Sequence, residues 1–279
     1  MSTDERDQQT SAGKNVDFYD ATYGRFHESL YRDIRQETWG EDIGQNGWIT
    51  AKEQDRFIEW LSLGPGQHLL DIACGSGGPT LRIAERTKAA ILGVDIHADG
   101  IDAGRQQAAA RGLSQTASFE VVDAQGPLPF EDRSFDAVMC IDAINHLSNR
   151  PRVLAEWARV LKPGGRLLFT DPIVVTGPLT NEEMAIRSSI GFFLFVAPDT
   201  NDRMLAGAGF GLTIKDDFTE ALAQTAASWH AARQKRAAEL RRIEGHATFD
   251  GQQRFLEVAA LLARERRLSR FAYVASKTC

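Results

Sequence analysis

Leu69-Leu70-Asp71-Ile72-Ala73-Cys74-Gly75-Ser76-Gly77-Gly78-Pro79-Thr80 runs from an apolar segment through an acidic residue into a glycine-rich turn. Residues with helical spacing follow at once, so the stretch reads as strand, turn and helix. Glycines at such a turn let the backbone approach a nucleotide-like ligand, because no side chain stands between them. Asp71 narrows the choice of ligand. A carboxylate beside a helix N-terminus repels a pyrophosphate but suits a ligand carrying an ammonium or sulfonium group.

Outward from this stretch, apolar runs recur at 68–73, 89–94, 118–122, 135–141 and 166–170. Helical patterns separate them, near 79–87, 101–111 and after Pro151, where Leu154, Trp157, Ala158 and Leu161 repeat at i, i+3, i+4 and i+7. Gly164-Gly165 is expected to end that last helix. Short continuous apolar strands joined by single helices predict a parallel sheet covered on both faces, with ligands at the C-terminal strand ends. Asp95, Asp123, Asp142 and Asp171 each follow a run directly, and Asp71 lies in the last turn of the first. One such residue would be an ordinary turn Asp. Several on one sheet edge point to a ligand.

Before the first strand, a helical stretch at about 16–36 carries Phe18, Tyr19, Tyr23, Phe26 and Tyr31. The segment from Trp39 to Trp48 is too rich in glycine to continue it. Thr50 to Glu53 and Thr180 to Glu183 are capping boxes. The alternation breaks after Pro172. An apolar helical region is expected over 178–196, a short helix over 201–208, a sixth strand over 211–218, two long helices at about 220–243 and 251–267, and a closing strand over 271–275. The predicted fold is α/β: a seven-stranded doubly wound, Rossmann-like sheet with a helical N-terminal lid and a helical insert before the last strand. Residues 1–14 are expected as a flexible tail and 15–63 as the lid. The core would comprise 64–175, 197–218 and 269–279, and the helical cap 176–196 and 219–268.

Composition excludes several function classes. A chain of 279 residues, 43% hydrophobic and 25% charged, is that of an ordinary globular protein. A formal net charge of −6 gives no reason to expect a nucleic-acid partner. The arginine-rich pieces 233–242 and 264–270 are interleaved with Glu and Ala and read as solvated helix faces. No apolar stretch is long enough for a membrane span, and the polar N-terminus lacks the apolar core of a signal peptide. Cys74, Cys140 and Cys279 form neither a disulfide framework nor a paired metal spacing. A cytoplasmic location and no metal centre are the expectations.

The ordered motifs resemble those of the class I S-adenosylmethionine-dependent methyltransferases, in the small-molecule, methyltransferase type 11 (UbiE-like) group. They are Asp71 to Gly78, Val94-Asp95-Ile96, Val122-Asp123-Ala124, the segment from Pro129 to Asp136, and Leu161 to Arg166 with its Lys162-Pro163-Gly164-Gly165 core. The resemblance covers 66–175 closely. It implies S-adenosyl-L-methionine as cofactor, S-adenosyl-L-homocysteine as product, and a cofactor set of Asp71, Ala73, Gly75, Gly77, Asp95, Ile96, Asp123, Ala124 and Ile141. The residue chemistry agrees. A carboxylate after the second strand can accept both ribose hydroxyls, Asp123 the adenine amine, and Ile96 can pack on the ring.

The run from Trp39 to Ile43 is similar to a segment of glycine/sarcosine-type methyltransferases, with one glycine missing. Together with Tyr19, Tyr23, Tyr31 and Trp48 it offers aromatic faces for a cationic amine or a flat ring. The expected partner is a small-molecule acceptor bound by Tyr19, Tyr23, Trp39, Trp48, His146 and Phe192. A homodimer is left open, and no membrane or nucleic-acid partner is expected. His146 and Tyr23 are the candidate catalytic residues, because His suits proton acceptance near neutral pH. Cys140, inside a strand run, reads as core. The alternatives are an inactive cofactor-binding protein and a nicotinamide-dependent oxidoreductase, the latter disfavoured by Asp71 and by the lack of a Tyr-x-x-x-Lys pair.

Overall fold

The computed structural model describes residues 28–278 together with Tyr23 and Arg25. Two helices, α1 (Ser29–Trp39) and α2 (Ala51–Leu61), precede the sheet. Then β1 (His68–Ile72), α3 (Gly78–Thr87), β2 (Ala90–Asp95), α4 (Ala98–Ala110), β3 (Ala117–Val121) and β4 (Phe135–Cys140) alternate. A 3₁₀ turn (Ile144–His146), α5 (Arg150–Val160) and β5 (Leu161–Val175) follow. The chain continues through α6 (Asn181–Arg187), α7 (Thr200–Gly207), β6 (Phe210–Asp217), α8 (Thr219–Gln234), α9 (Ala237–Glu244) and α10 (His246–Arg264) to β7 (Leu268–Lys277).

The strands form one seven-stranded sheet in the order β3-β2-β1-β4-β5-β7-β6. The first five strands in the chain are mutually parallel, and β7 runs antiparallel between β5 and β6. Successive strand residues feed opposite faces, which is why the runs read as continuously apolar. Leu70, Ile72, Val138, Cys140 and Phe169 pack with Trp157 of α5 on one face. Leu69, Ala137, Met139 and Leu168 pack with Phe57 of α2, Leu81 of α3 and Ile101 of α4 on the other. The order reverses between β1 and β4, so the C-terminal ends of β1, β2 and β4 border the crevice in which open α/β sheets hold ligands.

Both expected capping boxes are formed. The Glu53 N–H donates to Thr50 Oγ1 at 3.1 Å while the Thr50 N–H donates to Glu53 Oε2 at 3.1 Å, and Thr180 with Glu183 repeats the pattern. Other expectations need correction. Helix α5 ends at Val160 rather than at Gly164-Gly165, because Lys162 precedes Pro163 and is thereby disfavoured in helix. Strand β5 is far longer than 166–170, since it pairs with β7 on both sides of a bulge between Asp171 and Val174. The region 178–196 is helical only over α6. The expected pair of long helices is three, broken after Gln234 and at Gly245, whose φ of +86° no helix accommodates.

Three charged positions also differ from their sequence reading. Asp171 is not on the ligand edge: it lies inside β5, wholly buried, accepting from Arg150 Nη1 at 2.6 Å and from Asn201 Nδ2 at 2.9 Å. Arg233 is buried rather than solvated and pairs with Glu244 at 2.6 Å, which also accepts from Tyr31 Oη at 2.9 Å. Arg270, read as part of a solvated helix face, lies in β7 and is 0% exposed. Its Nε donates to Asp142 Oδ1 at 2.7 Å, its Nη2 to Asp142 Oδ2 at 3.1 Å, and its Nη1 to both Glu53 oxygens at 3.1 and 3.0 Å. Burial opposes the Arg270 charge, but the two facing carboxylates outweigh it and raise its pKa; burial likewise raises that of Glu53 against the pull of Arg270.

This cluster joins α2, the end of β4 and β7. Removing its one cation strands two carboxylates in the interior. Arg270→Ala is therefore expected to lower stability by about 3–5 kcal/mol, measured by urea denaturation; a loss below about 1 kcal/mol, the range of an exposed pair, would show that the cluster is not a structural joint.

Candidate functional site

A cavity of about 480 Å³ opens at the switch point. The turn after β1 supplies Asp71, Ala73, Cys74 and Gly75, the end of β2 supplies Asp95 and Ile96, and the loop after β3 supplies Asp123 and Ala124. Ile141 and Asp142 enter after β4 and His146 from the 3₁₀ turn, while Gly44 to Gly47 and Tyr23 close the cavity from the N-terminal side. Eight of the nine residues expected to hold a cofactor thus share one wall. Gly77 does not. Its φ is +76°, and a Cβ there would fall 2.5 Å from the ring of Phe119, so it serves packing of the turn on β3 and α4. Gly78 has a related duty: a Cβ would meet the Ile43 carbonyl oxygen at 2.4 Å, and its absence lets the N-terminal loop lie on the turn.

The two carboxylates at the heart of the wall differ. Asp95 accepts from the Gly75 N–H at 2.8 Å and from the His97 N–H at 3.0 Å. Burial raises its pKa, and these backbone bonds work in the other direction. Each oxygen keeps a lone pair for a further donor. Asp71 receives one hydroxyl, from Thr80 Oγ1 at 2.6 Å. Burial pushes its carboxyl up to about 7, the Thr80 bond lowers it and the charge of Asp95 raises it. A buried carboxylate with a hydroxyl as its hydrogen-bond donor suits an ammonium group. Asp123 is exposed and accepts from the Gln125 N–H at 2.9 Å, a turn residue that also borders the cavity; Ile96 presents an apolar side chain that is 46% exposed.

His146 stands where this cavity meets a second chamber, and burial pulls its pKa down to about 4. Nδ1 lies 2.9 Å from the Phe192 carbonyl oxygen, which can only accept, so the proton of the neutral ring sits on Nδ1 and the basic lone pair on Nε2. Asp142 beside it is saturated. Oδ1 accepts from Arg270 and from Thr170 Oγ1 at 2.7 Å, and Oδ2 accepts from Arg270 and from the Trp48 N–H at 3.0 Å. With its lone pairs occupied it is a structural anchor rather than a proton acceptor.

Of the residues expected around an acceptor, Tyr23 and Phe192 border the main cavity, and Phe192 stands at its rim, 48% exposed. Trp48 lines the second chamber, of about 70 Å³, with Phe193, Phe255 and Trp229. Trp39 reaches neither: it ends α1 with its ring 5.0 Å from that of Trp229, packing the N-terminal helix on α8. Tyr19 lies outside the described residues. Sequence reasoning missed Asn145 and Arg187 in the second chamber and the Arg270 anchor behind it. The Thr180 capping box and the apolar helical pattern over 178–196 pointed to the helix that carries Arg187, but not to the burial of Arg187. Among the described residues there is no group of three or more His, Cys, Asp or Glu able to hold a metal, and no helix long and apolar enough to cross a membrane.

Comparison with known proteins agrees with this fold. The methyltransferase domain family matches residues 70–169. The 27-O-demethylrifamycin SV methyltransferase of Amycolatopsis mediterranei is 32% identical over 166 residues, 56% of this chain and 61% of that protein. The chain thus spans about three-fifths of the length of the first curated relatives it matches. A Galdieria sulphuraria protein assigned as a sarcosine dimethylglycine methyltransferase superposes with a TM-score of 0.76 at 19% identity, over 90% of this chain and 98% of its own. The Haemonchus contortus phosphoethanolamine N-methyltransferase 2, solved with phosphomonomethylethanolamine and S-adenosylhomocysteine, gives 0.75 at 18% identity over 92% of this chain and 60% of its own. Residues 70–169 match the methyltransferase domain family, and the seven-stranded sheet that carries them is the fold these solved structures share.

Proposed function

We propose that this protein is an S-adenosylmethionine-dependent methyltransferase acting on a small molecule. One observation carries the reading: Asp71 and Asp95, two buried carboxylates with hydrogen-bonding capacity left, flank a glycine turn in a 480 Å³ cavity at the switch point of the sheet. The S-adenosylhomocysteine bound in the Haemonchus contortus structure supports the same cofactor class. S-adenosylmethionine would supply a methyl group on a positively charged sulfur.

Asp95 would accept the ribose hydroxyls, Ile96 and Ile141 would pack against the adenine, and Asp123 with Ala124 would meet its amine. Asp71 would face the amino-acid ammonium, with backbone groups at Ala73 and Gly75 beside it. Tyr23, Trp48, His146 and Phe192 would surround the acceptor. Transfer by in-line displacement needs alignment and exclusion of water, which the N-terminal loop and the Phe192 segment, both lining the cavity, would provide. His146 Nε2 would take a proton where the acceptor atom must lose one. The free thiols Cys74 and Cys140 suit a reducing cytoplasm. We read 64–175, 197–218 and 269–279 as the cofactor-binding core and the remaining described segments as its cover.

Three measurements test this. By calorimetry, Asp95→Ala should weaken S-adenosylhomocysteine binding by about 1.5–3 kcal/mol; unchanged affinity would remove Asp95 from the site. At pH 7, binding of that ligand should expel roughly half a proton, because an ammonium facing Asp71 restores the ionised form of a carboxyl that titrates near 7. Calorimetry in buffers of different ionisation heat reads the proton directly, and its absence in Asp71→Asn assigns it. Once a screen of metabolite extracts with labelled cofactor has identified an acceptor, His146→Gln should lower kcat about a hundredfold. In the parent the neutral ring persists as pH falls to about 4, so the acid limb belonging to His146 lies there and should vanish in the variant.

A further inference from the structure

The second chamber is built unlike the first. Its walls are aromatic: Trp48, Phe193, Trp229 and Phe255, with the guanidinium carbon of Arg187 4.2 Å from the ring centre of Phe255. Set into them is the side chain of Asn145, from the 3₁₀ turn, which borders this chamber and not the main cavity. Asn145 is 1% exposed, and neither its Oδ1 nor its Nδ2 has a hydrogen-bond partner among the described residues. Its backbone is fixed, since its carbonyl accepts from the Leu194 N–H at 2.8 Å. An interior carboxamide with both ends unmet is costly, and an apolar side chain of the same shape would remove the cost. Such a group calls for a partner from outside the fold.

The chemistry of the unmet atoms defines that partner. Oδ1 is an acceptor and Nδ2 a donor, side by side in one plane and without net charge. A carboxylate would meet Nδ2 but set its own charge against Oδ1; an ammonium would meet Oδ1 and oppose Nδ2. A lone hydroxyl satisfies one end at a time. A planar group with a donor beside an acceptor meets both, as the cis-amide of a primary carboxamide, a lactam or an imide does. The chamber, of about 70 Å³, holds the volume of about two waters, enough for such a head group and too little for a whole substrate. It shares Asn46, Gly47, Asp142 and His146 with the main cavity, so a molecule anchored in one extends into the other past His146.

We propose that the methyl acceptor carries an uncharged cis-amide, seated in this chamber against Asn145 through a reciprocal pair of hydrogen bonds. This rests on the main cavity being the methyl-donor site, and it names the class of acceptor. The amide N–H of the acceptor donates to Asn145 Oδ1, and its carbonyl accepts from Asn145 Nδ2. The aromatic walls keep water from the pair, which strengthens both bonds. The amide is bound and not transformed, so the reacting atom lies further along the acceptor, on the His146 side.

Acetamide, acetone and acetate, alike in size and different in hydrogen bonding and charge, are the probes, titrated by saturation-transfer NMR against the full chain with and without saturating S-adenosylhomocysteine. Acetamide is expected to bind about fivefold more tightly than either of the others. Asn145→Leu and Asn145→Ala should each erase the preference, with affinity for S-adenosylhomocysteine kept within about twofold. Asn145→Leu, which removes both unmet atoms, should also unfold at a higher urea concentration than the unliganded parent. Equal binding of the three probes to the parent overturns the proposal and leaves a trapped water as the partner of Asn145. Tighter binding of acetone or acetate overturns it too, as does a preference that survives in either variant. Loss of stability in both variants would show the carboxamide already bonded within the fold, and overturns it as well. Failure of the parent to bind S-adenosylhomocysteine would instead refute the methyl-donor reading while leaving the amide preference measurable, so the two failures are distinguishable.

Discussion

Asp142, held by Arg270 from behind, is the contact on which the site depends. The carboxylate sits at the end of β4, the guanidinium on β7 nearly at the other end of the chain, and Glu53 on α2 completes the cluster. Taking these charges out of water is unfavourable unless each is paired and each hydrogen-bonding atom is met. Here they are: Thr170 and the Trp48 backbone take the lone pairs of Asp142 that Arg270 leaves. The Trp48 bond pins the N-terminal loop against the sheet edge, and that loop is the wall common to both cavities. The same saturation makes Asp142 an anchor of the junction, with the imidazole of His146 beside it.

The two cavities differ in the side chains that line them. Acidic groups, Asp71 and Asp95, line the deep end of the large one; a cation, Arg187, lines the small one; a neutral imidazole stands between. The elements that cover the sheet are also coupled. Helix α1 packs on α8, Trp39 and Trp48 both meet Trp229, and Tyr31 reaches Glu244 beside Arg233. The lid and the insert, read from sequence as separate pieces, pack on one another.

What the sequence made legible was local or periodic. The turn from Asp71 to Gly78 implied a strand, a glycine bend and a helix, and the structure has them in that order. Thr50 with Glu53 and Thr180 with Glu183 announced two helix starts through side chains three residues apart. Apolar runs located the central strands, because a strand buried on both faces has no polar alternation to hide it; the edge strands β3 and β6 are half-exposed and more polar. Errors arose where long-range pairing overrode local pattern. Strand β5 extends to Val175 because β7 supplies its partners, and Asp171 becomes a buried brace because α7 brings Asn201 to it.

The residues themselves therefore determined the fold class, the sheet edge and the acidic half of the site, since spacing along the chain is enough to place side chains on one strand end. Tertiary structure alone decided the other half. Arg187, Asn145, Trp48 and Phe255 come from four distant segments, and no local rule distinguishes a buried arginine from a solvated one; Arg233 and Arg270 were misread for that reason. Burial is a property of the neighbours a residue meets after the chain has folded back on itself. Which polar groups are desolvated together is set there, not along the chain.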